Sequence, residues 1–127
     1  MGQKQMSKEY EFIKECGVFF VLTINNEFPA GRPFGAIIEL NNFLYISTAD
    51  TKEVYKQLKL NKNIQIVALK PGTRDWIRVN GRAEECSDLK IKEKMLNECT
   101  VLKKHHASIY EPHFNIFQIE IINTEFN

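Results

Sequence analysis

The chain has 127 residues, 43% hydrophobic and 26% charged, the balance of an ordinary globular domain with enough apolar mass for its own core. A formal net charge of +1 removes the global field that nucleic acid or an anionic membrane would select, and no stretch approaches the ~18 apolar residues of a membrane span. Three cysteines, Cys16, Cys86 and Cys99, without C-x-x-C spacing, argue against a disulfide framework or a zinc site and for a reducing, cytoplasmic setting.

The N-terminal "MGQKQMSKEYEF" lacks the apolar centre of a signal peptide. Gly2 followed by a serine resembles a myristoylation pattern, a short one often met by chance. "MSKEYEFIKECG" reads as a short helix closed by Gly17, with Met6, Tyr10 and Ile13 on its buried side. "VFFVLTI" is an apolar run suited to a strand. After the polar turn "NNEF", "PAGRPFGAIIEL" resumes as a second strand, and "NN" turns the chain into a third, "FLYIST". The three form an antiparallel meander.

The helix "TKEVYKQLKLN" and a fourth strand, "NIQIVALK", come next, followed by a "PGTRD" turn. "WIRVNGRAEEC" alternates cleanly, with Ile77, Val79, Gly81 and Ala83 on one face and Trp76, Arg78, Asn80, Arg82 and Glu84 on the other. "SDLKIKEKMLNEC" reads as a helix capped by Ser87 or Asp88, turning Leu89, Met95, Leu96 and Cys99 to the core. The loop "KKHHASIYEPH" leads to a last strand, "FNIFQIEIIN", whose Phe117, Ile119 and Ile121 share a face. On a helix the adjacent His105 and His106 would point about 100° apart. They could not grip one metal, and with His113 they read as surface residues.

No repeat, low-complexity tract or linker divides the chain, so a single domain over residues 1–127 is expected. Six strands joined mostly as hairpins predict a mainly β fold with inserted helices, a small antiparallel barrel rather than a doubly wound sheet. "VFFVLTI" and "FGAII" are apolar on both faces, so one face fills the barrel and the other needs a helix or a second subunit as cover. A homodimer answers this with one self-complementary patch.

Three features carry chemistry. Asp50 and Glu53 have capping-box spacing, which places Lys52 in the first turn of the helix, where the macrodipole disfavours a cation, and Lys56 one turn later. Ser47, Thr48 and Thr51 put hydroxyls just ahead of the lysines. The pattern suits either a solvated capping turn, with Glu53 paired to a lysine, or an anion site built from amides, hydroxyls and an ammonium. In "GRPFG", Arg32 lies between Gly31 and Pro33, which suits either an edge-strand bulge or a planar fork offered to a ligand. Trp76, the only tryptophan, opens its strand beside Arg78, where it stacks on a planar ligand, fills a subunit interface or covers a barrel end.

The order of an N-terminal helix, "VFFVLTI", "GRPFGAI", "LYISTADTKEVYKQLKLNKNIQIVAL" and "WIRVNGRAE" resembles the pyridoxamine 5′-phosphate oxidase-like FMN-binding split-barrel family over nearly the whole chain. That resemblance implies a six-stranded, Greek-key-like antiparallel split barrel, homodimeric, with FMN between the subunits. It implies that Arg32 and Pro33 line the flavin and its ribityl chain, that Ser47 and Thr48 follow on the third strand, and that Thr51 and Lys52 hold the phosphate. Trp76 and Arg78 would approach the ring from the partner subunit. The vitamin B6 biosynthetic enzyme carries C-terminal arginines that grip substrate, whereas this chain has none after Arg82. The expectation is therefore an FMN-dependent oxidoreductase acting on a small planar acceptor, with NADH or NADPH as donor. The alternatives are a non-catalytic flavin carrier or store, and a split barrel holding deazaflavin or haem. No residue stands out as a general acid or base.

Overall fold

The computed structural model describes residues 6–127, so Gly2 and the start of the lipidation pattern lie outside the described residues. Ser7 stands one place later than that pattern requires and has a structural task. It is the N-cap of α1 (Lys8–Cys16), its hydroxyl accepting from the Tyr10 N–H at 3.1 Å. Its own N–H donates to Glu39 at 2.8 Å, and its hydroxyl bonds the same carboxylate. Gly17, at φ +80°, closes the helix by donating to the Ile13 and Lys14 carbonyls. Ile13 and Cys16 are buried and Tyr10 is half-buried, whereas Met6 is exposed because it precedes the helix and does not share its face.

The strands are β1 (Phe19–Asn25), β2 (Phe28–Phe34), β3 (Ile38–Leu40), β4 (Phe43–Thr48), β5 (Asn63–Leu69), β6 (Trp76–Cys86) and β7 (Asn115–Phe126). They form one antiparallel sheet in the order β2-β1-β5-β6-β7-β4-β3. The described residues thus hold seven strands where the sequence suggests six, and no three-stranded meander. "PAGRPFGAIIEL" is two strands, not one. Pro33, with no N–H, and Gly35 interrupt the run, and its two halves pair at opposite edges of the sheet, β2 with β1 and β3 with β4. The expected turn at Asn41–Asn42 is present, both residues at positive φ, the conformation a tight hairpin demands.

Residues 35–37 therefore carry the chain from one edge of the sheet to the other, a reach of at most about 14 Å between the flanking Cα atoms. Such a short link forces the sheet to curl until its edges lie side by side, with no ladder joining them. The result is mainly β, a curled but unclosed barrel.

Its interior is filled by Phe19, Val21, Leu44, Ile46, Ile66, Ile77, Val79, Phe117 and Ile119, closed off by Ile13 of α1 and by Val54 and Leu58 of α2 (Glu53–Leu60). The alternation expected for β6 holds, since Ile77, Val79, Gly81 and Ala83 are all buried. A second core lies on the outer side of β3, β4 and β7. There α3 (Leu89–Glu98) and the short α4 (Thr100–Lys103), which the sequence does not announce, pack Ile91, Met95, Leu96 and Leu102 on Ile38, Tyr45, Phe114 and Ile116. Asp88 caps α3, and Ile91 takes the buried place expected for Leu89, which is exposed.

Helices thus cover one two-faced stretch. The outer face of β1 has no such cover among the described residues: Phe20 is 48% and Ile24 38% exposed, with Leu22 half-buried between them. His106 is half-buried rather than fully exposed, stacking on Phe114 at 4.7 Å, with Nδ1 2.9 Å from Glu111. Among the described residues no helix is long and apolar enough to cross a membrane, and there is no metal-binding cluster of His, Cys, Asp or Glu.

The β6–β7 register shifts at Gly81, where β7 carries one extra residue, and the two backbones close in. A Cβ on Gly81 would stand 2.7 Å from the Glu120 carbonyl oxygen and 2.8 Å from Ile119 Cγ2. Gly81→Ala is expected to destabilise the protein by about 1–3 kcal/mol through overpacking, read as a lower urea midpoint with an unchanged slope.

Candidate functional site

A cavity of about 240 Å³ opens along the seam between the two sheet edges. Arg32, Pro33 and Phe34 line it from β2, Gly35 and Ala36 from the connector, and Ser47 and Thr48 from the end of β4. Lys52 and Val54 stand at the start of α2, and Val101 and Leu102 of α4 form an apolar wall. Five of the eight residues singled out from the sequence therefore converge: Arg32, Pro33, Ser47, Thr48 and Lys52.

Lys52 is the N-cap residue of α2, not a first-turn residue, with φ −91° and ψ 153° and no side-chain hydrogen bond to cap the helix. The capping box expected from Asp50 and Glu53 does not form. The Asp50 carboxylate instead bonds His113 Nδ1 at 2.7 Å, and its N–H donates to the Asn115 side-chain oxygen at 3.0 Å. These bonds tie the loop ahead of α2 to the start of β7 and remove Asp50 from the helix end. Glu53 pairs only with Lys56, at 3.5 Å on the surface. Among the described residues no side chain hydrogen-bonds the first-turn amides of α2, and Glu53 is the acidic residue in that turn.

Arg32 points inward from β2, opposite Val21, and is half-buried. Nη1 donates to the Val21 carbonyl at 3.2 Å and the Thr23 hydroxyl at 2.8 Å, and Nη2 donates to Gln57 Oε1 at 2.8 Å. Burial pushes its pKa below that of an ordinary guanidinium, which still leaves it charged at neutral pH. Among the described residues neither Arg32 nor Lys52 has a carboxylate within salt-bridge distance. The Ser47 and Thr48 hydroxyls make no hydrogen bond to protein there either. One cavity thus gathers two unneutralised cations, two disengaged hydroxyls and an uncapped helix start, the chemistry of an anion site.

Thr51 does not line this cavity and is exposed. Trp76 and Arg78 do not reach it. The sheet register sets Pro33, Phe20, Val67 and Arg78 in one cross-strand row, leaving Arg78 three strand spacings, about 14 Å, from Pro33. Arg78 instead lies over the Trp76 ring at 4.9 Å and pairs with Glu125 at 3.1 Å. Both face outward beside the uncovered surface of β1.

Sequence reasoning missed Gln57, Thr23, Val101 and Leu102. The signal for Gln57 was present: it shares the buried stripe of α2 with Val54 and Leu58, an amide where the period calls for an apolar residue. Tyr45, a conceivable proton donor, is buried in the second core, its hydroxyl accepting from Gln118 at 2.8 Å. Tyr110 is exposed.

Residues 7–127 match the family model described as pyridoxamine 5′-phosphate oxidase, and the chain belongs to that family. No curated protein matches the sequence. Among solved structures, a NimC/NimA family protein from Clostridium acetobutylicum superposes with a TM-score of 0.82 at 30% identity, over 94% of this chain and 89% of that one. General Stress Protein 26 from Bacillus anthracis gives 0.78 at 18% identity over 92% and 88%, and an FAD-binding protein from Mesorhizobium loti 0.67 at 20% over 95% and 94%.

Lysine is a poor N-cap because its side chain cannot accept from the first-turn amides. Lys52→Ser, at a backbone conformation already suited to capping, is expected to stabilise the ligand-free protein by about 0.5–1 kcal/mol, measured by chemical denaturation.

Proposed function

We propose that the chain is an FMN-binding flavoprotein, with FMN held at the interface of a homodimer, and that it acts as an oxidoreductase on a small planar acceptor. One observation carries this reading: Arg32 and Lys52, both without a carboxylate partner among the described residues, line the same cavity as the disengaged Ser47 and Thr48 hydroxyls. A phosphate dianion supplies the missing countercharge. The family and the FAD-binding neighbour support a flavin.

The fit is good for a head group and incomplete for a whole nucleotide. Ligand sites for molecules of that size run to roughly 300–1,000 Å³, more than the 240 Å³ that one chain encloses. The remainder calls for another surface, and the uncovered apolar face of β1 adjoins the Pro33 side of the seam. A second copy seated there brings its own Trp76 and Arg78 toward the open side of the cavity.

Bound flavin supplies the hydride or electron transfer. The protein's residues do the positioning. Lys52 and the α2 amides hold the phosphate, with Thr51 beside them; Arg32 adds its charge, and Ser47 and Thr48 hydrogen-bond the phosphate or ribityl oxygens. Val101 and Leu102 exclude water from one side.

Purified protein should be yellow and release free FMN on denaturation. A colourless protein that does not bind added FMN at micromolar levels sinks the proposal. Anaerobic bleaching by NADH or NADPH marks an enzyme, and its failure with every donor marks a carrier.

Lys52→Ala should weaken FMN roughly tenfold or more, the loss of a charge-assisted bond, while riboflavin, which lacks the phosphate, binds wild type and variant alike. Titration by flavin fluorescence quenching checks both arms. Phe20→Glu sets a charge in the middle of the uncovered face. It is expected to convert the dimer to monomer in sedimentation velocity and to lower FMN affinity without touching the cavity.

A further inference from the structure

Arg32 is held entirely by neutral oxygens: the Val21 carbonyl, the Thr23 hydroxyl and Gln57 Oε1. Gln57 Oε1 also accepts from the Thr23 hydroxyl at 2.5 Å, so one amide oxygen binds two donors and fixes both. Thr23 is 2% and Gln57 7% exposed, buried polar residues set in apolar stripes of β1 and α2. An ordinary scaffold has a better use for this position. Glutamate has nearly the same shape as glutamine, sits as well in a helix, and would form a charge-assisted bond to the guanidinium, roughly twice as strong as a neutral one. The amide orients Arg32 without cancelling its charge.

We infer that Gln57 is a positioning residue for ligand binding: with Thr23 it aims the Arg32 guanidinium along the seam cavity and, by being neutral, leaves that positive charge for an anionic group of the ligand. The inference rests on the flavin-nucleotide reading of the cavity, in which that group is the phosphate. It also explains how one helix serves the site twice, with Lys52 at its N-cap and Gln57 about a turn and a half later on its buried side. A purely structural network would be indifferent to the charge of residue 57, or would gain from a carboxylate there. A site that needs the charge would lose.

The test compares wild type, Gln57→Glu and Gln57→Met as full chains. FMN and riboflavin are titrated by fluorescence quenching, and the ligand-free proteins are melted in parallel. Gln57→Glu is expected to melt at or above wild type, to bind FMN at least about tenfold more weakly, and to keep riboflavin within about twofold. Gln57→Met, which keeps the charge and loses the orienting acceptor, should fall between on FMN. FMN binding by Gln57→Glu within about twofold of wild type, or equal losses of FMN and riboflavin, overturns the inference. Should Gln57→Glu fail to fold, Gln57→Met decides: a loss confined to FMN supports the inference, and an equal loss of both flavins overturns it. Wild-type protein that binds neither flavin overturns the flavin reading itself, a failure visible before any substitution is made.

Discussion

Three residues, Gly35 to Ile37, join the two edges of one sheet, and the rest of the molecule is arranged around that short reach. A link of this length cannot cross a flat seven-stranded sheet, so the sheet must curl. The curl encloses the Phe19–Ile119 core and turns the outer side of β3 and β4 toward α3. It also leaves a seam where backbone edges meet without a ladder. Pro29 and Pro33 remove two donors from the β2 edge, which lowers the tendency of that edge to recruit a strand. What remains is a slot rather than a closed wall, and a slot admits a ligand.

Charge then decides what the slot is good for. Some surface lysines meet glutamates: Lys59 with Glu85, Lys62 with Glu84, Lys70 with Glu15. Such exposed pairs contribute little to stability. At the seam, Asp50 is held by His113 and residue 57 is an amide. Among the described residues neither Asp50 nor residue 57 neutralises Lys52 or Arg32. Of the two cations at the slot, Arg32 is half-buried and partly desolvated by the fold, whereas Lys52 is exposed.

Much of this was legible before folding. The period-2 alternation of "WIRVNGRAEEC" marked its inner face residue by residue, and Gly17 marked the end of α1, because both signals depend on local geometry alone. The cluster of hydroxyls and lysines around Ser47 to Lys52 was readable for the same reason: the residues are neighbours along the chain. The splitting of "PAGRPFGAIIEL" was not readable, since each half has strand composition and only pairing partners far along the chain assign them to opposite edges. The N-cap of α2 was misplaced because Asp50 prefers a tertiary partner, His113, sixty-three residues away.

By itself the sequence determined most element types, the buried faces of the long strands, the want of a strong net field and the cluster of hydroxyls and lysines at one helix start. Only the tertiary structure decided that Arg32 from one edge strand shares a cavity with that cluster, that Gln57 and Thr23 hold it there, and that Trp76 and Arg78 face the other way. The reason is physical. Local periodicity fixes which side of an element is apolar, whereas the meeting of distant charges depends on sheet order and register, which are set by the packing of all seven strands together.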